Sequence, residues 1–321
     1  MMLKADVKGR ISIRMVSLFV LLCFAIFLPF LSQKQYLLHV IILANILAIF
    51  AMSWDLLAGF MGQLNLGHSM FFGIGAYAIG FITMAYQVPP ILGLILGGLI
   101  AIFLSLIVGI PCLRLRGPYY AIATLAFSQV LFTLAMGLPK LTGSEEGITK
   151  IPKFIVSIKG NYYFSFFLLV ATVVALNLLF RSKFGKKLIS LREDERLSEA
   201  AGIDTSTYKI IGAAMSAFLA GVVGAYNCYY HGNVTPDMLS ISLTFSVVAV
   251  VVFGGIGTLY GAIIGAYVLT FLNEYLYFMM DYRLLIYALV IILMLLYSSS
   301  GLLGLVRERL KVFKHGNTTS N

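Results

Sequence analysis

The stretch Gly59-Phe-Met-Gly-Gln63-Leu-Asn65-Leu-Gly67-His68-Ser69 breaks an otherwise apolar region with glycine and polar side chains. Gln63, Asn65 and His68 are hydrogen-bonding groups that a polar solute could meet in passing. The segment reads either as a loop between two spans or as a broken, re-entrant helix lining a solute path. Irregular backbone at membrane depth is tolerated only where protein or a water-filled cavity satisfies its polar groups. His68 by itself fits a structural histidine as well as a ligand. Thr124 and Ser128, four residues apart, share one helical face, with Gln129 beside them. They can bond across helices or face the same path. Asp55 is the only acidic residue close to a span in the first half of the chain, and it is expected at the membrane interface beside Trp54.

The third group of interest is a charged loop, 181–209. Within it Leu188, Leu191 and Glu195 stand at helical spacing, followed by Ser198, Glu199 and Gly202. The spacing predicts a short amphipathic helix ending at Gly202. Such a helix can be a solvated connection with paired charges, or a surface that docks on a separate motor.

Other chemistries find no support in the residues. Cys23, Cys112 and Cys228 lie in or beside apolar runs without a CxxC pair, and His39, His68, His231 and His315 are scattered, so no metal cluster or disulfide framework is visible. There is no GxxxxGK[ST] phosphate loop, so the chain is not expected to hydrolyse ATP by that route. Gly73-Ile-Gly75 and Gly255-Ile-Gly257 sit inside apolar runs and read as packing glycines. No catalytic residue and no cofactor is expected. Asn233-Val-Thr235 forms a glycosylation triplet of a kind that occurs by chance.

The elements that carry these residues follow from composition. Of 321 residues, 60% are hydrophobic and 11% charged, against about 25% charged in soluble domains. The bilayer is therefore the expected solvent. Apolar runs follow one another at 16–32, 36–54, 66–86, 91–110, 118–138, 161–180, 210–230, 241–256, 258–277 and 284–300. Most approach the ~20 residues needed to cross ~30 Å of hydrocarbon. The run 241–256 is short and suits a tilted, broken or half-crossing helix, which gives eight to ten spans. The first run, behind Lys4, Lys8, Arg10 and Arg14, reads as an uncleaved signal anchor.

The net charge of +10 would suit nucleic acid, but the basic residues cluster in short loops between apolar runs. With ten spans, 1–15, 111–117, 181–209 and 301–321 hold 17 of the 23 Lys and Arg residues. The positive-inside rule then places both termini in the cytoplasm and 139–160 outside. Gly257, Gly261 and Gly265 form GxxxGxxxG, Gly212, Ser216, Ala220 and Gly224 repeat every four residues, and Gly93 and Gly97 do likewise. Small residues on one face let helix backbones approach in lipid.

Five segments, in order, resemble the permeases of branched-chain amino-acid ABC transporters, of the LivM type. They are Gly62-Gln63-Leu-Asn65-Leu-Gly67-His68-Ser-Met-Phe71-Phe-Gly73-Ile-Gly75-Ala-Tyr77; Leu113-Arg114-Leu-Arg116-Gly117-Pro-Tyr-Tyr-Ala-Ile-Ala-Thr124-Leu-Ala126-Phe127; Leu141-Thr142-Gly143-Ser-Glu-Glu-Gly147-Ile148; Ile189-Ser-Leu-Arg192-Glu193-Asp194-Glu195-Arg-Leu-Ser-Glu199-Ala200-Ala201-Gly202-Ile203; and Val252-Phe-Gly254-Gly255-Ile-Gly257-Thr-Leu-Tyr-Gly261-Ala262. The likeness runs from about residue 40 to about residue 300.

The resemblance implies an all-α integral membrane protein, a polytopic helical bundle of about ten transmembrane helices (eight as the lower count), with the ABC importer permease fold in one domain spanning 1–321. It implies the cytoplasmic membrane of a bacterium or archaeon. It also implies a second homologous permease subunit, cytoplasmic ATPase subunits, an extracytoplasmic solute-binding protein and surrounding membrane lipid as partners. Glu199, Ala200, Ala201 and Gly202 take the position by which such permeases contact their ATPases, with Arg192, Glu193 and Glu195 on the same loop. Asp55 stands where many members carry Asn. Sister permeases for urea and short amides look similar, and an ion-coupled secondary transporter is the rival class. That class would show intramembrane carboxylates, of which the mid-span regions hold almost none.

Overall fold

The computed structural model describes residues 29, 35–86, 88–112, 115, 117–276, 286, 288–289, 292 and 301–304. Nearly all of the expected first span, most of the expected last one and the expected terminal segments lie outside these residues.

Ten helices organise the described chain. They are α1 (Gln35–Asp55), α2 (Ser69–Tyr86), α3 (Pro90–Cys112), α4 (Pro118–Gly137), α5 (Ile158–Arg181), α6 (Lys183–Glu193), α7 (Glu195–Ala200), α8 (Thr205–His231), α9 (Ile241–Gly254) and α10 (Leu259–Tyr275). Apart from the charged α6 and α7, their sequences are largely apolar around the helix, as expected where lipid replaces water on the outer face. Six are long and apolar enough to cross a bilayer: α1 with its extension to Phe60, α2, α3, α4, α5 and α8. The pair α9–α10 passes the same test only together and bends by 114°. Eight of the ten expected runs fall wholly or almost wholly within the described residues, and the last two of these eight form one bent pair in place of two separate spans. The described residues hold six helical spans and one bent pair, because α9 is too short to cross alone.

Two faces can be told apart. Residues 182–204 lie on what we term the lower face, and 138–157 on the upper face. α5 descends from upper to lower and α8 returns, so its end near Tyr230 is high. His39 near the start of α1 meets Tyr230 through Nδ1 and the phenol oxygen, 2.5 Å apart, so α1 runs downward. At its foot the helix loosens into a π-turn at Leu56–Phe60, a local widening that often marks a functional site. α10 runs antiparallel to α1 along its whole length. Tyr36 donates to Glu274 at one end, and Gly257, just before α10, donates to Asp55 at the other.

α1 is the most enclosed helix, and α8 packs closely on α3 and α2. Glycine makes that approach possible. A Cβ at Gly75 would strike the backbone of Gly221, and one at Gly224 would strike the Phe72 carbonyl. Dispersion contacts between close backbones hold these helices together, since lipid tails offer no hydrophobic driving force.

α2 and α9 both start in the interior of the bundle. Residues 61–68 climb back from the lower face without helical order before α2 begins at Ser69. Residues 232–240 descend from the upper face before α9 begins at Ile241, and they are pinned near the top by an antiparallel bridge between Val234 and Ile148. One helix, α2, therefore rises from the interior of the bundle, and the short α9 falls from it.

Candidate functional site

The junction of these two irregular segments is the polar centre of the bundle. Ser240 caps α9 by accepting from the Leu243 N–H, as short hydroxyl side chains do at helix starts. Asn65 folds the opposite segment: its Oδ1 accepts from the Gly67 N–H at 2.9 Å, and its carbonyl accepts from Trp54 Nε1 at 2.7 Å. The Leu66 N–H donates to Thr124 Oγ1 at 3.2 Å, and the Ser69 N–H donates to Thr244 Oγ1 at 2.9 Å. Ser69 and Ser128 both donate to the Leu239 carbonyl and lie 3.1 Å from each other. A backbone that leaves helical order at this depth must find such partners in side chains.

His68 sits within the same knot, fully enclosed. Its Nε2 lies 2.9 Å from Ser53 Oγ, and its ring stacks on Phe50 with centroids 5.3 Å apart. Its Nδ1 has no hydrogen-bond partner among the described residues.

The expected path residues thus separate. Asn65, His68, Thr124 and Ser128 come together with Ser69 and Thr244, all shielded from solvent. Gln129 does not join them: it is exposed, about 100° around α4 from Ser128. Gln63 lies lower, half-buried, at the wall of a cavity of about 490 Å³ that also touches Tyr120, Arg192, Glu195 and Lys209.

The charged loop holds two helices rather than the single helix expected. Asp194 breaks the run, because its extended backbone lets the carboxylate accept from the Leu197 N–H and start α7. Leu188 and Leu191 face inward, whereas Leu197 is 69% exposed. α7 ends at Ala200, and Gly202 follows with φ +81°, the left-handed geometry that ends helices and favours glycine. Glu193, Glu199, Ala200 and Ala201 are exposed. Glu199 accepts from Thr205 Oγ1 at 2.8 Å, and Glu195 pairs with Lys209 at 2.6 Å. Asp204 caps α8, and the Thr207 hydroxyl and N–H hold its carboxyl below the usual range.

Arg192 reaches from this loop into the foot of the bundle. Its Nη1 donates to the Gly59 carbonyl in the π-turn. Gly257 is not on a helical face with Gly261 and Gly265. It lies in the break between α9 and α10 with φ +73°, and a Cβ there would sit 2.6 Å from Arg192 Nη1 and 3.0 Å from the Gly59 oxygen. Gly261 and Gly265 close the bent pair, approaching the Gly254 and Val250 carbonyls.

Asp55, expected beside Trp54 at the interface, ends α1 near the lower face and is fully buried there. Its Oδ1 accepts from the Gly257 N–H at 2.8 Å, and its Oδ2 has no partner among the described residues. The available signal was an acidic residue at the end of an apolar run, two turns ahead of a glycine-rich one.

Among the described residues this is a helical bundle with interrupted helices meeting in its interior and a charged loop clasping its foot, the architecture of a polytopic membrane protein. The chain belongs to the family described as branched-chain amino acid transport system / permease component, whose sequence profile matches residues 36–295. It is 28% identical to the high-affinity branched-chain amino acid transport system permease protein LivM of Salmonella typhimurium, over 92% of this chain and 76% of that one. The corresponding protein of Escherichia coli K12 is 28% identical over 91% and 75%. The probable branched-chain amino acid transport permease protein LivH of Methanocaldococcus jannaschii is 25% identical over 88% and 96%. No solved structure matches the chain significantly.

Proposed function

We propose that this chain is the membrane-spanning permease subunit of an ATP-binding cassette importer that carries branched-chain or other amino acids across the cytoplasmic membrane of a bacterium or archaeon. It has no catalysis of its own. Cytoplasmic ATPase subunits hydrolyse ATP, a second homologous permease completes the pathway, and an extracytoplasmic binding protein delivers the solute. The chain is one permease domain over 1–321 with ten crossings and both termini in the cytoplasm, so the lower face is cytoplasmic.

The observation that carries the reading is the contact between the charged loop and the interrupted helices. The lower-face loop exposes Glu193, Glu199, Ala200 and Ala201, while Arg192 touches the π-turn of α1. A motor docked on the first group can move the second. Apolar anchors and charges that fix register are what a docking surface uses. Arg192, Glu193, Glu195, Glu199, Ala200, Ala201 and Gly202 form the coupling loop. Gln63, Asn65, His68, Thr124 and Ser128 border the solute path on this chain's side. Exposed Gln129 faces the second permease, and Gly257, Gly261 and Gly265 pack the bent pair.

The test is reconstitution in vesicles with all partners, measuring uptake of leucine, isoleucine, valine and urea together with ATPase activity. ATP-dependent uptake of an aliphatic amino acid, stimulated by liganded binding protein, is expected. Uptake driven by an ion gradient without the ATPases would overturn the reading, and uptake of urea alone would move the chain to the amide branch.

A further inference from the structure

The foot of α1, the loop arginine and the α9–α10 break meet at one point. Gly59 and Gly257 approach so closely that a Cβ on Gly59 would strike Asp55 and sit 2.5 Å from the Gly257 nitrogen. Asp55 Oδ1 holds the Gly257 N–H. Arg192 Nη1 holds the Gly59 carbonyl and lies over the position a Gly257 side chain would take. The Asp55 carboxyl and the Arg192 guanidinium thus each hold one of two backbone segments that touch each other. Both segments are places where a helix has lost regular hydrogen bonding, the π-turn of α1 and the break before α10. Such places take up changes of backbone angle with the least loss of structure.

The charges are unevenly served. Asp55 Oδ2 is enclosed with no partner among the described residues. A buried carboxylate oxygen left unpaired is costly. Arg192 offers five donors in a planar fork, and its one hydrogen bond among the described residues goes to a neutral carbonyl. Turning the guanidinium from Gly59 onto Asp55 would pair the two charges and give this contact a second arrangement. Two discrete arrangements of one contact are what a coupling element needs.

We propose that Arg192 and Asp55 are the positioning pair that passes movement of the α6–α7 loop into the bundle, by setting the π-turn at Leu56–Phe60 and the break at Gly255–Thr258 as a unit. This rests on the coupling reading above and names the residues at its bundle end. Arg192 acts here on backbone rather than on the motor. The movement it transmits reaches α9, whose other end is tied to Ser69 through Thr244, and so reaches the polar centre.

Hydrogen–deuterium exchange on the full reconstituted complex, with and without ATP, tests this directly. In the wild type, ATP is expected to change protection both in the loop 183–200 and in peptides covering 56–60 and 255–258. In Arg192→Gln the loop should still respond, while the response at 56–60 and 255–258 falls by at least half. Asp55→Asn should lose the same response, and Arg192→Lys should restore part of it. A variant Arg192→Gln whose 56–60 and 255–258 peptides respond as in the wild type overturns the pair. So does a double variant whose loss is the product of the two single losses, since a working pair loses its function once. A wild-type loop that ignores ATP overturns the coupling reading itself and this inference with it. That result is distinct because it appears before any substitution is made.

Discussion

The Ser69 backbone N–H, at the start of α2, donates 2.9 Å to the hydroxyl of Thr244 in the first turn of α9. The bond joins the starts of two helices that run in opposite directions, and the residues are 175 positions apart in the chain. With Ser69, Ser128 and the Leu239 carbonyl it forms one buried polar cluster in the bundle.

Thr244→Val keeps the volume and β-branching but removes the acceptor. The Ser69 N–H is then buried without a partner, which costs about 1–3 kcal/mol. Purified protein should unfold at a lower temperature. Thr244→Ser, which restores the hydroxyl, should recover most of the loss, and equal unfolding temperatures for the valine and serine variants would count against the bond.

Cysteine accessibility should grade with depth. In a background lacking native cysteines, Gln63→Cys at the cavity wall should react quickly with a small water-soluble thiol reagent. Asn65→Cys and Ser69→Cys, enclosed in this state, should react slowly and speed up when liganded binding protein and ATP are cycling. Inertness of both under every condition would mean that the junction is structural and borders no path.

The glycines of the bent pair should be intolerant while one with open space beside it is not. Gly265→Leu drives a side chain into the Val250 carbonyl, whereas a Cβ at Gly109 meets nothing within 4 Å. Gly265→Leu should lose most of the folded yield and Gly109→Leu should keep it, read as the monodisperse fraction after purification.

Orientation is testable with one reagent. A membrane-impermeant maleimide added to intact cells should label Glu145→Cys on the upper face and spare Arg196→Cys on the lower face. The reverse pattern would invert the topology and remove the loop 183–200 from reach of a cytoplasmic motor.

Asp204 gives a pH signature. Thr207 holds its folded carboxyl below the usual value, so the contribution of this cap is present above the unfolded carboxylate pKa of about 3.9. It is lost as pH falls through the lower, folded value. Asp204→Ala should lower the unfolding temperature at pH 7, with the difference shrinking below about pH 4. Asp204→Asn should show little of this pH dependence, since its amide caps without titrating.

Much of the architecture was legible in the order of residues. Hydropathy marked α1, α2, α3, α4, α5 and α8, because a membrane span is a local property of about 20 consecutive side chains. The interrupted stretch 59–69 was legible as irregular because glycine and amides punctuate it. The α6–α7 break was missed: Asp194 is a helix-capping residue inside an amphipathic run, and spacing alone did not separate it from the charges around it. The separation of Gln129 from Thr124 and Ser128 follows from one further step of 100° around α4.

The sequence by itself determined that this chain lives in a membrane, where its apolar runs lie, and which family its ordered motifs belong to. Only the tertiary structure decided what its few polar groups do. Asp55 and Gly257 stand 202 residues apart, and Arg192 and Gly59 stand 133 apart. Neither pairing leaves any periodic trace in the sequence. Where a helix breaks at membrane depth, its freed backbone groups cannot turn to water, so the nearest side chain in space must satisfy them. Nearness there is set by how glycine-lined helices pack, not by position along the chain.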